Sequence, residues 1–564
     1  MIQITNTKLR VLQSFKYLLW LLLLISIFKN ISYPLMWADE SMTAMGSERV
    51  LSYGYPKIND GKNTLYDLLH PNKRLGANEK MDAYIGGAGW LQYYYGTIGC
   101  SIANKFSDIY VKTGILRSSF AIVGVFGLFI LMQFLSKLIK DKVTSEVFKI
   151  AFLVLTISSI SLILLIKEVR YFALVFLIFN SILACYFMFR FNKRYNEKLF
   201  IALMAILHPL CIITFSPIYF ILLASIGCIE VILFISNSIK TNIKEAFKDA
   251  KPIIMAAILS LVIAIPLIIF FKIFEINEAM SQYNGYNSQM YWNNLKTALN
   301  YFTKFEYLWL AIIVKVPTLL FSKKTYTNNK AIFQTSLSLT LLFIIYILAI
   351  SRMHGVLYTR YIIYLQPIMS ISILFDMILL TNLIQSSQLK FKKVINIFVI
   401  FAAILLTVNK IYENKEHIAG HIYEMTHKYE GPLDMMIPYI KENFTKPQNL
   451  IIATNYEETS FMYYLKAKVI IGYVQNNLTE DLKFKPDIIS YRPSWGDRNG
   501  IFIDYIKGND YFVKRFPINN TPTNMISEFN YLPNFTHKFK IEKSYDYQQS
   551  VQLWIHNKFD KDRQ

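Results

Sequence analysis

Ionisable residues in this chain gather in a few short stretches bordered by long apolar runs. "WADESMTAMG" sets Asp39 and Glu40 side by side after the first apolar run, and "KEVRYF" places Lys167, Glu168 and Arg170 between two others. "SRMHGVLYTRYIIYLQP" adds Arg352, His354 and Arg360, while "ILHPLCIITF" holds His208 within an apolar run. Charged groups at membrane depth are costly, so they usually face a polar cavity and mark a functional path. A carboxylate can take a proton from a nucleophile, and a guanidinium grips phosphate in a two-pronged fork. Gathered on several helix ends, the two types suit an anion site with a base beside it. The plain alternatives are an interfacial ion pair ending two helices for Glu168 and Arg170, and a buried, hydrogen-bonded core histidine for His208.

The elements that must position these groups follow from composition. Of 564 residues 54% are hydrophobic, with a formal charge of +21 and a mean hydropathy of +0.32, which disfavours a soluble globular protein. Lys and Arg recur between apolar runs rather than along one face, which argues against a nucleic-acid partner and for a lipid bilayer. Apolar windows predict about eleven spans, near 14–33, 115–136, 148–166, 169–189, 199–216, 217–236, 252–273, 303–322, 332–350, 356–380 and 394–409. Because "KNISYPLMWADE" offers no small-residue cleavage site after "YLLWLLLLISIF", the first is read as an uncleaved span. Cys185, Cys211 and Cys228 fall within spans, so with Cys100 they form no disulfide framework or zinc spacing.

Basic clusters fall at alternate ends of successive spans: Lys8 and Arg10; Lys137, Lys140 and Lys142; Arg190, Lys193 and Arg194; Lys240, Lys244 and Lys248; Lys323 and Lys324; Lys390, Lys392 and Lys393. The positive-inside rule then predicts a multi-pass plasma membrane protein, a bacterial inner membrane protein in that setting, with a cytoplasmic amino terminus and an extracytoplasmic carboxyl-terminal segment. All the singled-out charges except His208 share the outer face. Three outer connections matter there, 34–114, 274–302 and 351–356, and 81–106 in the first reads as a helix lying at the interface. From 413 onward the composition is that of a water-soluble domain. "PLDMMIPYIKENF" and "EETSFMYYLKA" predict helices, and "NLIIATN", "KVIIGYV", "PDIISYR" and "VQLWIHNK" predict strands. No Gly-rich phosphate loop or nucleophile elbow is visible in it.

The "W-x-DE" after the first span, the "E-x-R-Y" opening the fourth and the "RYxxxxxP" of a late span resemble the pattern of the polyprenyl-phosphate-dependent GT-C glycosyltransferases. The likeness is to the branch of protein O-mannosyltransferases and aminoarabinose transferases of lipid A, glycosyltransferase families 39 and 83, and covers roughly residues 10–410. It implies a membrane all-α multi-span fold of GT-C type with about 11 transmembrane helices and a C-terminal extracytoplasmic α/β domain. The expected domains are 1–412, with its first outer loop at 34–114, and 413–564.

The resemblance further implies an inverting transfer of a sugar from a polyprenyl-phosphate-linked donor to a glycan, lipid or protein acceptor at the outer face. Polyprenyl phosphate is a good leaving group, so one base suffices and the paired carboxylates of a glycosidase are not expected. Asp39 takes the family's first-loop acidic position and is the expected base, with Glu40 orienting the acceptor or the loop, or raising the pKa of Asp39. Arg170 and Arg360 are expected to hold the departing phosphate, with Arg352 and His354 behind them and Tyr171 and Tyr361 adding hydroxyl donors. Glu168 is expected to pair with Arg170 or another cation. His70 with Pro71 resembles the family's first-loop His-Pro pair, but "NKRLGANEK" replaces the usual continuation; Lys73, Arg74, Glu79 and Asp82 there could touch substrate or form a solvated face. No cofactor is required. A divalent cation is conceivable if Asp39, Glu40 and His354 converge, though their spacing fixes no site. The rival is a polytopic lipid or glycan transporter or flippase without transferase chemistry, which predicts charges near mid-span and repeated halves.

Overall fold

The computed structural model describes residues 6–65, 82–85, 89–192, 196–275, 287–321, 329–353, 357–386, 392–471, 481–495, 501–526, 536–541 and 549–560. The chain divides into two compact units, one of residues 1–28, 122–166 and 172–419, the other of 29–121, 167–171 and 420–564.

The first unit is helical. Its apolar runs form α1 (Asn6–Phe28), the later part of α4 (Ile109–Leu135), α5 (Lys142–Ile157), α6 (Ile160–Ile166), α7 (Phe172–Phe191), α8 (Glu197–Lys240), α9 (Ile243–Phe270), α10 (Ser288–Lys304), α11 (Leu308–Leu320), α12 (Lys330–Met353), α13 (Leu365–Ser386) and α14 (Lys392–Glu413). Among the described residues seven helices are long and apolar enough to cross a membrane, eight if the bent α5–α6 pair is one span. The protein is thus a multi-pass membrane protein.

Several expected spans take other shapes. That expected at 148–166 is broken by an 82° bend at Ser158 and Ser159. By contrast, those expected at 199–216 and 217–236 are the two halves of α8, which meet where the backbone leaves helical geometry at Phe215, two residues ahead of Pro217; Phe189 stacks on Phe200 while Arg190 pairs with Glu230, so the halves fold back on one another. The span expected at 303–322 shrinks to the 13 residues of α11, because Phe305–Tyr307 interrupts it. Charge also lies deeper than the sequence reading placed it. Lys315 of α11 meets Asp376 of α13 at 2.8 Å, and Ser336 of α12 donates to the same carboxylate at 2.7 Å. His208 is buried in α8 with its ring edge-on to Tyr219.

The second unit begins with an irregular strap, residues 29–37, followed by α2 (Ala38–Tyr53), α3 (Leu91–Ala103) and the first turns of α4. The helix expected within 81–106 is α3. It packs tightly on α2: a Cβ on Gly46 would fall 2.5 Å from the ring of Tyr93, and one on Gly96 would strike Ser47. Residues from 420 onward add α15 (Lys415–Thr426), most of which belongs here, α16 (Pro432–Asn443), α17 (Glu458–Leu465) and α18 (Ile501–Lys507). They also add a five-stranded sheet, β1 (Ile451–Thr454), β2 (Lys468–Ile470), β3 (Ile488–Tyr491), β4 (Tyr511–Asn519) and β5 (Ser550–His556). The order is β2-β1-β3-β5-β4, with β1 parallel to β2 and β3, and β5 antiparallel to β3 and β4. Both expected helices and all four expected strands form; β4 is additional. Ala453, Ile470, Ile489 and Phe502 make the apolar core that fastens α18 to the sheet.

Candidate active site

The site grows from the strap that leads into α2. Asp434 of α16 accepts from the backbone N–H of Leu35 at 3.0 Å, and Tyr464 of α17 accepts from that of Met36 at 2.9 Å. Asn524 donates to the Leu35 carbonyl and to Asp434, and Ser460 donates to the Met36 carbonyl. Burial pushes the Asp434 carboxyl up to about 6, although the N–H groups of Leu35 and Gly431 and the Asn524 amide favour its ionised form. Irregular backbone buried this deeply needs side-chain partners for its polar groups, and here every one named comes from far along the chain.

Glu40 and Arg117 form the centre of that arrangement. Both are fully buried. Arg117 Nε and Nη2 donate to the two Glu40 oxygens at 2.8 and 2.6 Å, and its Nη1 donates to the carbonyls of Ile31 and Pro34 at 3.2 and 2.7 Å. Glu40 Oε1 also accepts from the backbone N–H of Val169 at 3.0 Å. One ion pair therefore ties the strap, α2, α4 and the 167–171 segment together. Glu40 is thus fully buried with both oxygens engaged within the protein.

Asp39, the next residue along α2, has a different setting. Its side chain is 29% exposed and lies 3.8 Å from the Arg170 guanidinium, itself 11% exposed. Arg170 Nη1 also donates to the Asp39 carbonyl at 3.2 Å and reaches Thr43 Oγ1 at 3.4 Å. Burial disfavours the Arg170 cation, yet Asp39 first and then Tyr93, Tyr171 and Tyr84 hold it firmly charged. Tyr84 and Tyr93 meet edge to face at 5.9 Å, and burial pushes the Tyr93 phenol up to about 12. Gln92 Oε1 accepts from the Tyr171 backbone and from Thr43, both at 3.2 Å. Trp37 Nε1 donates to Glu168 Oε1 at 2.7 Å, and Glu168 lies in the field of Arg117. The carboxylate salt-bridged to Arg170 is thus that of Asp39, while Glu168, expected to pair with Arg170 or another cation, lies in the field of Arg117. Lys167 is buried in the field of Glu424, Arg117 and Glu40, and desolvation brings its amine down to about 8.

The structure therefore brings Asp39, Glu40, Glu168, Arg170 and Tyr171 into one cluster. Arg352, Arg360 and Tyr361 belong to the first unit. There the Arg360 guanidinium lies 4.5 Å from the Tyr358 ring centre and 5.5 Å from that of Tyr361, and Tyr361 stacks on Phe215 at 5.6 Å. Arg352 is exposed in the last turn of α12. His354, His70, Lys73, Arg74 and Glu79 lie outside the described residues, while Asp82 sits in a turn with φ +49°. As for a metal, Asp39 and Glu40 engage different cations, and among the described residues no group of three or more His, Cys, Asp or Glu is arranged to hold an ion.

Sequence reasoning missed Arg117, Tyr84, Tyr93 and Gln92. Arg117 had a signal: it is a lone guanidinium inside a window read as a span, the same anomaly that exposed Arg170.

No family model matches this chain, and no curated protein does. Among solved structures it is similar to apo ArnT from Cupriavidus metallidurans, with a TM-score of 0.52 at 12% identity over 97% of this chain and 99% of that one. A structure of ArnT from the same organism bound to undecaprenyl phosphate superposes with a TM-score of 0.49 at 11% identity, covering 98% of each chain. ArnT is an aminoarabinose transferase of the GT-C type, and the fold of this chain is the GT-C glycosyltransferase fold: a multi-span helical bundle with a C-terminal domain.

Proposed function

We propose that this chain is an inverting glycosyltransferase that moves a sugar from a polyprenyl-phosphate carrier to an acceptor at the extracytoplasmic face. The observation that carries this reading is the half-open pair of Asp39 and Arg170, held rigid from behind by the closed pair of Glu40 and Arg117. In a single displacement the acceptor hydroxyl gives its proton to Asp39 while its oxygen attacks the anomeric carbon. The bond from that carbon to the phosphate oxygen breaks, and the carrier phosphate leaves with the electron pair. Its charge falls on Arg170, where a fixed guanidinium in a partly desolvated site stabilises it without reorganising. Before donor binds, Arg170 rests against Asp39; phosphate taking the guanidinium leaves the carboxylate available for the acceptor's proton.

Arg360 is a second holder of phosphate in this reading, with Tyr171 and Tyr361 as hydroxyl donors, Arg352 and His354 as further cations, and His70, Lys73 and Arg74 as first-loop contacts. No metal is invoked, because arginines can neutralise the leaving phosphate. The topology, with a cytoplasmic amino terminus, follows from the positive-inside pattern. Mass spectrometry of surface glycolipids and glycoproteins tests the function in cells carrying the protein, lacking it, or carrying Asp39→Asn at equal abundance. A product present only with the unaltered protein is expected. A profile that Asp39→Asn leaves intact would remove Asp39 as the base.

A further inference from the structure

The mechanism above leaves unused a rigid platform in the second unit. Neighbouring parallel strands β1 and β3 end at Thr454 and Tyr491, and their exits, 455–457 and 492–495, run side by side. In open α/β sheets ligands collect beyond the carboxyl ends of such strands. Asn455 bolts the exits together, its amide donating to the Arg492 carbonyl at 2.7 Å and its oxygen accepting from the Arg492 N–H at 2.9 Å. Arg492, fully buried, clamps the Glu457 carboxylate and the carbonyls of Asn520 and Pro522. Glu457 has φ +61°, a conformation that a non-glycine residue keeps only where its surroundings enforce it.

Two features emerge from this scaffold. The partly exposed rings of Tyr456 and Trp495 lie nearly parallel, 10° apart with centres 4.2 Å from one another. Glu458, also partly exposed, starts α17 beside Thr459, whose hydroxyl donates to the carbonyl of Ala38 at 2.6 Å. Ala38 precedes Asp39, so Glu458 and Asp39 flank one contact. Burial first, and then the Asp39 charge, raise the Glu458 carboxyl above its ordinary value. Tyr456 lies in the Asp39 field as well.

We propose that the Tyr456–Trp495 platform and Glu458 form the acceptor subsite, and that the acceptor is a glycan whose sugar at this position is neutral or amine-bearing. The proposal rests on Asp39 being the base. A pyranose ring offers an apolar face to an aromatic surface and a rim of hydroxyls to carboxylates, the combination found here. Glu458 and Asp39 beside the platform accept hydrogen bonds from hydroxyl or ammonium groups, whereas an acidic sugar brings a like charge toward theirs.

The test uses full-length protein in nanodiscs and three immobilised oligosaccharide probes: a neutral hexose tetramer, a free-amine hexosamine tetramer and a hexuronate tetramer. Binding of the hexose or hexosamine probe is expected, with the hexuronate weakest. Trp495→Ala and Glu458→Gln should each weaken the preferred probe about tenfold while leaving undecaprenyl phosphate binding unchanged. Glu458→Gln keeps the side-chain shape, so its loss of binding is separable from misfolding. Preference for hexuronate, unaltered binding in both variants, no binding of any probe, or competition by a Ser/Thr-rich peptide would each overturn the subsite. Failure of Asp39→Asn to abolish transfer, with these binding results intact, would instead overturn the catalytic reading.

Discussion

Asp39 and Glu40 are consecutive residues of one helix, each facing an arginine, and their settings are opposite. Glu40 and Arg117 are sealed, joined by two short hydrogen bonds, with their remaining capacity taken by backbone. Asp39 and Arg170 are 3.8 Å apart and reach solvent. A sealed pair is expensive to disturb because removing either partner strands a charge, whereas a loose, partly wet pair can exchange its partner for substrate. The same two residue types are thus sealed in one place and open to solvent in the next, and access to water separates them.

That contrast can be broken by substitution. Asp39→Asn should lower transfer by about 10²–10⁴-fold, the usual worth of a positioned base, with thermal unfolding unchanged; activity assays with a melting curve decide it, and retained turnover removes the distinction. Arg117→Ala should cost about 3–5 kcal/mol by stranding the buried Glu40, seen as a large fall in melting temperature or in accumulation. A mild effect there would mean that Glu40 is not sealed. If the proposed function holds, Arg170→Lys, which keeps the charge but loses the fork, should weaken polyprenyl phosphate binding about tenfold without lowering stability.

The smallest effect concerns Lys167, behind the sealed pair. Its amine is brought down to about 8 in the folded state, below its ordinary value of 10.5, mainly by desolvation. Between those values the unfolded chain holds more protons, so stability rises with pH. From pH 7.5 to 9.5 the gain should be about 1–2 kcal/mol, and Lys167→Met should abolish it. Equal slopes in chemical denaturation of the two proteins would show that Lys167 is solvated.

Much of this was legible because a charge in an apolar run is conspicuous. Asp39, Glu168 and Arg170 announced themselves that way, and periodic runs gave α16, α17 and four of the five strands of the C-terminal residues, but not α18. What stayed hidden depends on pairings across long sequence separations. Nothing local says that Asp434 and Tyr464 should hold the backbone of residues 35 and 36, or that Arg170 should meet Asp39. β4 was missed because "YFVKRFPIN" mixes charge and proline into its alternation, as an edge strand tolerates.

The second unit is assembled from three stretches, 29–121, 167–171 and 420–564. A ribosome releases these in order, so the strap before Asp39 and the segment carrying Arg170 emerge hundreds of residues before Asp434, Tyr464 and Asn524. The backbone leading to Asp39 can therefore gain its partners Asp434, Tyr464 and Asn524 only once residue 524 has been made.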